Sequence, residues 1–419
     1  MGLSDAVLRG GAVTHEAIRS GVARLAEACL ARGGVALRVV LPDDATIDFG
    51  RPARVVLRVI DPALLADMAA PSLALLGDAY IDGRLEIEGN LLEALPIGER
   101  MIEAGGSSVA QRAMQAWRRH RRGEDRSAIR HHYDVGNAFY RLWLDERMVY
   151  SCAYYRDSGS TIDSAQVAKL DHICRKLALV PGERFLDVGC GWGALPIHAA
   201  QNYGVHAVGI TLSENQADLA RERVMQHGLA DRVEILVLDY RDLPRRFGAD
   251  AFDKAASVGM FEHVGLRNQS SYFSAVAAVL RDRGVFLNHG ITSADVASRP
   301  VGSGISDFIG RHVFPHGELP HLHLAVHEMS AAGFEVVDVE SLRPHYARTL
   351  AEWYRRLDAR SAEAARLVAG PTLRTWLVYL AGCSYGFEQG WINVYQLLGS
   401  RQATPGLTRL PMTRDWIYR

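Results

Sequence analysis

The chain has 419 residues, two to three times the roughly 150 residues of a usual domain, so a single small module is excluded. Hydrophobic residues make up 48% and charged ones 23%, enough apolar material for a large core and a composition that excludes disorder and coiled coil. Forty-seven basic residues stand against 48 acidic ones, a formal charge of -1, so no global field recruits nucleic acid and any anionic partner must meet a local patch.

Five cysteines, Cys29, Cys152, Cys174, Cys190 and Cys383, are odd in number and never spaced C-x-x-C. That argues against a disulfide framework or a structural zinc site and points to the reducing cytoplasm. The opening residues, MGLSDAVLRGG, lack the basic-then-apolar pattern of a leader, and the most apolar stretch, Ile60 to Ile81, contains Asp61, Asp67, Asp78, Pro62 and Pro71. No segment is long and apolar enough to span a bilayer, so membrane contact is expected only at the surface.

In chain order, His15 to Arg32 places Ile18, Val22, Leu25 and Cys29 on one stripe, the pattern of an amphipathic helix. After Gly33-Gly34 come short β-like runs, Val35 to Val40, Thr46 to Phe49 and Arg54 to Ile60, broken by Pro42-Asp43-Asp44 and Gly50-Arg51-Pro52. Together they predict a small α+β domain over 1–105. Residues 106–126 form a basic linker in which Arg112, Arg118, Arg119, Arg121, Arg122 and Arg126 surround Trp117. Such a run is ordinarily a solvated connection; its sharper alternative is contact with anionic headgroups.

The remainder, 127–419, is expected to be the catalytic domain. From Pro181 onward, apolar runs at Arg184 to Val188, His206 to Ile210, Val233 to Leu238, Phe252 to Val258 and Val285 to Leu287 alternate with helical stretches such as Ser213 to His227 and Gln269 to Arg281. That alternation predicts an α/β fold, a Rossmann-like, doubly wound and mostly parallel sheet. The first of these strands runs into Gly189-Cys190-Gly191-Trp192-Gly193 and then a helix, a turn that lets a ligand approach the backbone. Asp187 before it suits an ammonium group better than a pyrophosphate, which selects S-adenosylmethionine over a dinucleotide. The D-x-G-x-G pattern resembles the first motif of the class I methyltransferases. Many such enzymes end the second strand with an acidic residue on the ribose; here Thr211-Leu212-Ser213 stands there, and Thr211 and Gln216 are candidates for the ribose hydroxyls. Asp239 and Tyr240 close the third strand as candidates for the adenine, with a turn cap as the competing role for Asp239.

Further segments carry a more specific resemblance. They are His132-Tyr133-Asp134-Val135-Gly136-Asn137, Tyr150-Ser151-Cys152-Ala153-Tyr154, Gly209 to Gln216, Ser257 to Gly265, Leu287-Asn288-His289-Gly290-Ile291, Pro344-His345-Tyr346 and Gly382-Cys383. With the glycine loop they resemble the cyclopropane-fatty-acyl-phospholipid synthase and mycolic acid cyclopropane synthase family over roughly 127–400. The resemblance implies that an alkene of a phospholipid acyl chain takes the sulfonium methyl carbon, and that proton loss to a bound bicarbonate closes a three-membered ring. It places Cys152, Glu262, His289, the backbone at Ile291 and Tyr346 around the bicarbonate and Tyr150, Ser151 and the glycine loop on the cofactor, and it matches Cys383 to an active-site candidate of the family, for which a support or packing role is expected because free cysteine is often buried. It also implies that the N-terminal domain handles lipid, with a sterol-carrier-like pattern in Leu75 to Gly89. Unsaturated phospholipid, peripheral contact with the inner face of the membrane and, by analogy, a homodimer are the expected partners.

A cation made from an unactivated alkene needs a dry pocket with aromatic faces. Tyr133, Phe139, Tyr140, Trp143, Tyr154, Phe261, Tyr272, Phe308 and Phe314 are candidates for its walls, with core packing the commoner role of any one of them. His312, His316, His321, His323 and His327 lack acidic or cysteine ligands at standard spacing, so no metal is expected. Methylene- or methyl-branching of the same acyl chain, methylation of a small amine, and non-enzymatic lipid binding are the alternatives.

Overall fold

The computed structural model describes residues 15–68, 71–104, 135–299, 308 and 318–418. The basic stretch 106–126, the His132-Tyr133-Asp134 triplet, His312, Phe314 and His316 lie outside them. Two compact units form: Met1–Val135 with Gly302–Pro315 and Leu357–Tyr385, and Gly136–Val301 with His316–Arg356 and Gly386–Arg419. The chain therefore revisits its first unit late, unlike the linear division at 105 and 126.

In the first unit, helix α1 (His15–Ala31) buries Val22, Leu25, Ala26 and Cys29 against a four-stranded sheet. The strands are β1 (Leu37–Val40), β2 (Thr46–Asp48), β3 (Val55–Val59) and β4 (Leu85–Glu88), in the order β2-β1-β3-β4. Leu37, Val39, Val55, Leu57 and Val59 supply the other side of that core, the alternation expected of half-buried strands. Helix α2 (Leu73–Ile81) begins where the Ser72 hydroxyl accepts from the Leu75 amide at 3.2 Å, and α3 (Leu91–Ala104) adds Ile97 and Met101 to the core. The late segment joins this unit for a local reason. Arg374, on the helix Gly370–Glu388, donates to the Tyr80 carbonyl at 2.7 Å and to Glu86 at 2.6 Å, while Val378 packs against Ala74, Ile81 and Phe308.

The second unit is built on a seven-stranded sheet. Helix α4 (Ile162–Lys176) precedes β5 (Arg184–Val188), α5 (Ala194–Tyr203), β6 (His206–Thr211), α6 (Glu214–Gln226), β7 (Val233–Val237) and β8 (Phe252–Val258). Helix α7 (Gln269–Val279) leads to β9 (Leu280–Ser293), followed by α8 (Leu322–Ala331), β10 (Phe334–Ser341), α9 (Arg343–Ala359) and β11 (Ile392–Arg401). The order is β10-β11-β9-β8-β5-β6-β7, with β9, β8, β5, β6 and β7 mutually parallel and β11 antiparallel to both of its neighbours. Because β5 lies between β6 and β8, the chain winds outward through β6 and β7 and then crosses back, which leaves a crevice at the carboxyl ends of β5 and β8.

The parallel strands fall where the apolar runs predict them. The last is longer than Val285 to Leu287, since pairing with β11 from Ser293 to Val285 extends it. Helix α4 is fixed to the far edge by ions: Lys176, fully buried, meets Asp338 at 3.0 Å and Glu340 at 2.6 Å, and His172 meets Glu340 at 2.7 Å. Among the described residues no helix is long and apolar enough to cross a membrane.

Gly290 on β9 sits so close to the Phe261 ring that a Cβ there would approach its Cδ1 to 2.7 Å. Gly290→Ala is therefore expected to destabilise the protein by about 1–3 kcal/mol through overpacking. Urea unfolding measures it, and an unshifted midpoint would show that the ring yields freely.

Candidate active site

The turn between β5 and α5 is built from backbone conformations that side chains resist. Gly189, Gly191 and Gly193 have φ of +87°, +53° and +79°. A Cβ on Gly189 would meet that of Met260 at 2.8 Å, and one on Gly209 would meet Cys190 at 2.9 Å, so β6 and the loop after β8 both close on the turn. The amides of Gly189 and Cys190 donate to the Ile210 carbonyl at 2.9 and 2.8 Å. Two side chains brace the outer part: the Trp192 indole donates to Asn137 at 2.8 Å, and Arg223 donates to the Trp192 carbonyl at 2.7 Å. No side chain caps the start of α5 at Gly193, so its first amides face the crevice uncapped.

Beneath the turn the electrostatics are unusual. Asp187 is buried and its Oδ1 has no hydrogen-bond partner; burial lifts its carboxyl to about 7, with the positive charge of Lys169 acting in the opposite sense. Lys169 is itself buried, and burial lowers its ammonium to about 8 against the opposing pull of Asp145, Cys152 and Asp187. Its Nζ donates to the Ser151 hydroxyl at 2.8 Å, while Gln166 donates to the Ser151 carbonyl at 2.9 Å. Helix α4 thus holds the Tyr150-Ser151-Cys152 segment from one side. Lys169 and Gln166 are absent from the sequence-derived site. Their signal was a lysine and a glutamine in register with the apolar residues Ile162, Ala165, Ile173 and Cys174 of one helix face.

A second group gathers at the ends of β8 and β9. The Glu262 Oε1 accepts from the Ile291 amide at 2.6 Å, so that amide is already engaged by the carboxylate; Oε2 is buried with no partner among the described residues, and burial raises the group to about 7. His289 is buried, its Nδ1 lies 3.2 Å from the Gln396 amide nitrogen and its Nε2 has no partner among the described residues. Burial holds this imidazole well below its ordinary range, and the charge of Lys169 adds to the effect. Cys152 is fully buried, its Sγ 3.2 Å from the Ala153 carbonyl and 3.8 Å from that of Leu342, and burial raises its thiol.

A chain of ring contacts starts from the glycine turn. Tyr346 contacts Trp353 edge-on at 6.2 Å, Trp353 contacts Tyr150 at 5.4 Å, and Tyr150 contacts Trp143 and Tyr140 at 5.4 and 5.7 Å. Phe139 packs on the same cluster, and Tyr140 reaches Trp192 of the glycine turn at 5.0 Å. Phe261 and Tyr272 belong to the core beneath β9, whereas Tyr154 is stacked between His172 and His345 at 4.3 and 4.8 Å.

At the ends of β6 and β7 the ribose and adenine candidates make local contacts. The Thr211 hydroxyl donates to Gln216 at 2.8 Å, and Leu212 is 69% exposed. Asp239 accepts from the Arg241 amide and side chain, both at 2.9 Å, which is the turn-cap arrangement, and this lowers its carboxyl. Tyr240 meets Tyr272 edge-on at 5.5 Å. Cys383 is buried in the other compact unit, as is Phe308. His321 and His323 contact each other at 2.8 Å and His327 contacts Glu328; no group of three metal-ligating side chains occurs among the described residues.

A glycine turn with an unpartnered acidic group at the switch point of this sheet defines a class I S-adenosylmethionine-dependent methyltransferase. A family model described as mycolic acid cyclopropane synthetase matches residues 120–397. A probable fatty acid methyltransferase of Pseudomonas putida is 47% identical over 383 residues, 91% of this chain and 96% of that one. The cyclopropane-fatty-acyl-phospholipid synthase of Escherichia coli strain K12 is 34% identical over 398 residues, 92% and 94% of the two chains. Among solved structures, the cyclopropane synthase MmaA2 from Mycobacterium tuberculosis superposes with a TM-score of 0.61 at 32% identity, covering 64% of this chain and 96% of that one. The mycolic acid cyclopropane synthase CmaA1 complexed with SAH and CTAB gives 0.60 at 36% identity, with the same coverage. The chain belongs to the cyclopropane synthase family of methyltransferases.

At Gly191 a Cβ would meet nothing within 4 Å, so a side chain there is opposed by the backbone conformation and would project into the space over the turn. Gly191→Val is expected to abolish cofactor binding in calorimetric titration while the protein still melts cooperatively. Tight binding by the variant would remove the turn from the cofactor site.

Proposed function

We propose that this enzyme adds a methylene bridge across a cis double bond of a phospholipid acyl chain, with bicarbonate as the base. The observation that carries the proposal is the pair of buried atoms Glu262 Oε2 and His289 Nε2, unpartnered among the described residues, one just after β8 and the other on the neighbouring β9. Two such atoms in a dry site are costly, about 1–3 kcal/mol each, unless a ligand meets them. Bicarbonate fits the donor set. Glu262 would accept its O–H, and a neutral His289 and the Tyr346 hydroxyl would donate to its oxygens.

S-adenosylmethionine, when bound, supplies an electrophilic methyl carbon. Asp187 fits its ammonium group, because an acidic oxygen without a partner is stabilised by an adjacent cation. Tyr150 and Ser151 would hold it from the side braced by Lys169 and Gln166, and Thr211, Gln216, Asp239 and Tyr240 line the strand ends where the nucleoside would lie. The rings of Tyr140, Trp143, Tyr150 and Trp353 present π faces to positive charge that develops on the alkene carbons and exclude the water that would quench it. Cys152, with its thiol kept protonated, acts by contact and not as a nucleophile. Since the substrate resides in a bilayer, peripheral membrane contact and two-fold assembly on one membrane face belong to the same proposal.

The Pseudomonas putida relative is described as a probable fatty acid methyltransferase, and the second outcome for the same acyl chain is proton loss elsewhere, which gives a branched product. Incubation of the purified protein with unsaturated vesicles and labelled cofactor, followed by mass spectrometry and a test of double-bond reactivity, separates the two. A saturated ring is expected, and a product that still reacts as an alkene would overturn ring closure.

The role of Glu262 fixes a pH dependence. Only the ionised carboxylate accepts the bicarbonate O–H, and its folded value is about 7, so kcat should rise as pH rises through that range at constant bicarbonate concentration. Glu262→Gln is expected to lose this limb and roughly 10²–10⁴ of kcat with little change in cofactor affinity. Normal turnover by the variant would remove Glu262 from the anion site.

A further inference from the structure

Residue Gln396 lies on β11 directly opposite His289 on β9, so their side chains share one face of the sheet. Both are buried, at 0% and 1% exposure, and the amide nitrogen of Gln396 is 3.2 Å from His289 Nδ1. The next residue in the row, Glu340 on β10, pairs with Gln396, but its Oε2 is held by His172 at 2.7 Å and Lys176 at 2.6 Å. The amide is therefore the polar group that meets the imidazole.

We infer that Gln396 is a positioning residue that sets the tautomer of His289, placing the ring proton on Nε2. A neutral imidazole has one N–H and one lone pair, and the partner of one nitrogen decides which the other presents. With the amide N–H donated to Nδ1, the lone pair is used there and Nε2 becomes a donor. The inference rests on the anion-holding role proposed for His289. Glu262, whose Oε2 accepts, can satisfy the anion's O–H but not its negative oxygens, so a donor at Nε2 completes the set. A reversed amide would put a lone pair at Nε2, and an acceptor facing an anion is repelled. The strand pairing places the amide against the ring, since a shift of one residue would move Gln396 to the other face.

The test uses full-length protein labelled with 15N at histidine, with the His289 signals assigned by their absence in His289→Asn. In the wild type, Nε2 is expected to carry the proton and Nδ1 to appear as a lone-pair nitrogen. Gln396→Glu, which offers only acceptors, is expected to move the proton to Nδ1 and lower kcat on the order of 10- to 100-fold, with the KM for S-adenosylmethionine unchanged. Gln396→Met, of similar volume and without a donor, is expected to show both tautomers and a smaller loss, and it carries the test if the charged variant does not fold. A wild-type signal with the proton on Nδ1 would overturn the inference, as would a folded Gln396→Glu enzyme with unchanged tautomer and rate. Wild-type turnover indifferent to bicarbonate would instead remove the anion role and leave the tautomer result standing.

Discussion

The constraint on which the catalytic unit depends is the burial of polar atoms without protein partners at the ends of three adjacent strands. Among the described residues none partners Asp187 Oδ1 near the end of β5, Glu262 Oε2 just after β8 or His289 Nε2 on β9. Proteins ordinarily pair such atoms, and leaving them unpaired weakens the fold by about 1–3 kcal/mol each. The surrounding structure must offset that cost. It does so with a parallel sheet packed on both faces and with a cluster of contacting rings from Phe139 to Trp353, each pair of which adds about 0.5–1.5 kcal/mol beyond its buried area. The polar atoms are thus held in place before any ligand arrives, which is what electrostatic preorganisation requires.

Rigidity at the strand ends has a second source in the antiparallel edge. Without β11, the end of β9 that carries His289 and Ile291 would have one paired side and one open side. With it, pairing runs from Ser293 to Val285, and β10 covers β11 in turn. The buried contacts of Lys176 with Asp338 and Glu340 then tie α4 to β10. Since α4 also carries Lys169 and Gln166, the helix that braces Ser151 and the strand that presents His289 belong to one connected frame.

Much of this was legible in the sequence, for physical reasons that also mark where legibility ended. The inner parallel strands β5, β6 and β9 are largely buried and read as apolar runs, and the glycine turn declares itself because three positions require positive φ. Glu262 and His289 were visible through their neighbours in a family pattern, since a single carboxylate or imidazole carries no signal of burial. Lys169, Gln166 and Gln396 were missed because each is a polar residue in a buried register whose purpose appears only when a distant strand or loop arrives beside it. The edge strands were missed in a different way: β10 alternates Phe334, Glu335, Val336, but its place depends on β11, almost sixty residues later by sequence. At Thr211, Gln216 and Asp239 residue type suggests ligand contacts, and the structure adds local capping and pairing that sequence alone left open.

The charges around Ser151 follow from the same dryness. Burial pushes Asp187 up to about 7 and Lys169 down to about 8, and it also raises Asp145, so each group is moved toward its neutral form. A pocket that left Lys169 as a full, unopposed ammonium would repel both a sulfonium and a carbon cation. Here the two carboxyls oppose it, and the ammonium is spent on the Ser151 hydroxyl. A cation beside Asp187 would favour its ionised form, so the group is poised to match an arriving positive charge instead of carrying a fixed negative one at all times. On the proposed function, the field left for an acyl chain would come mainly from aromatic faces, which attract a cation without offering it a nucleophile. Adjustable charge at the cofactor end and π density at the hydrocarbon end would then separate such a pocket from one built for a polar substrate.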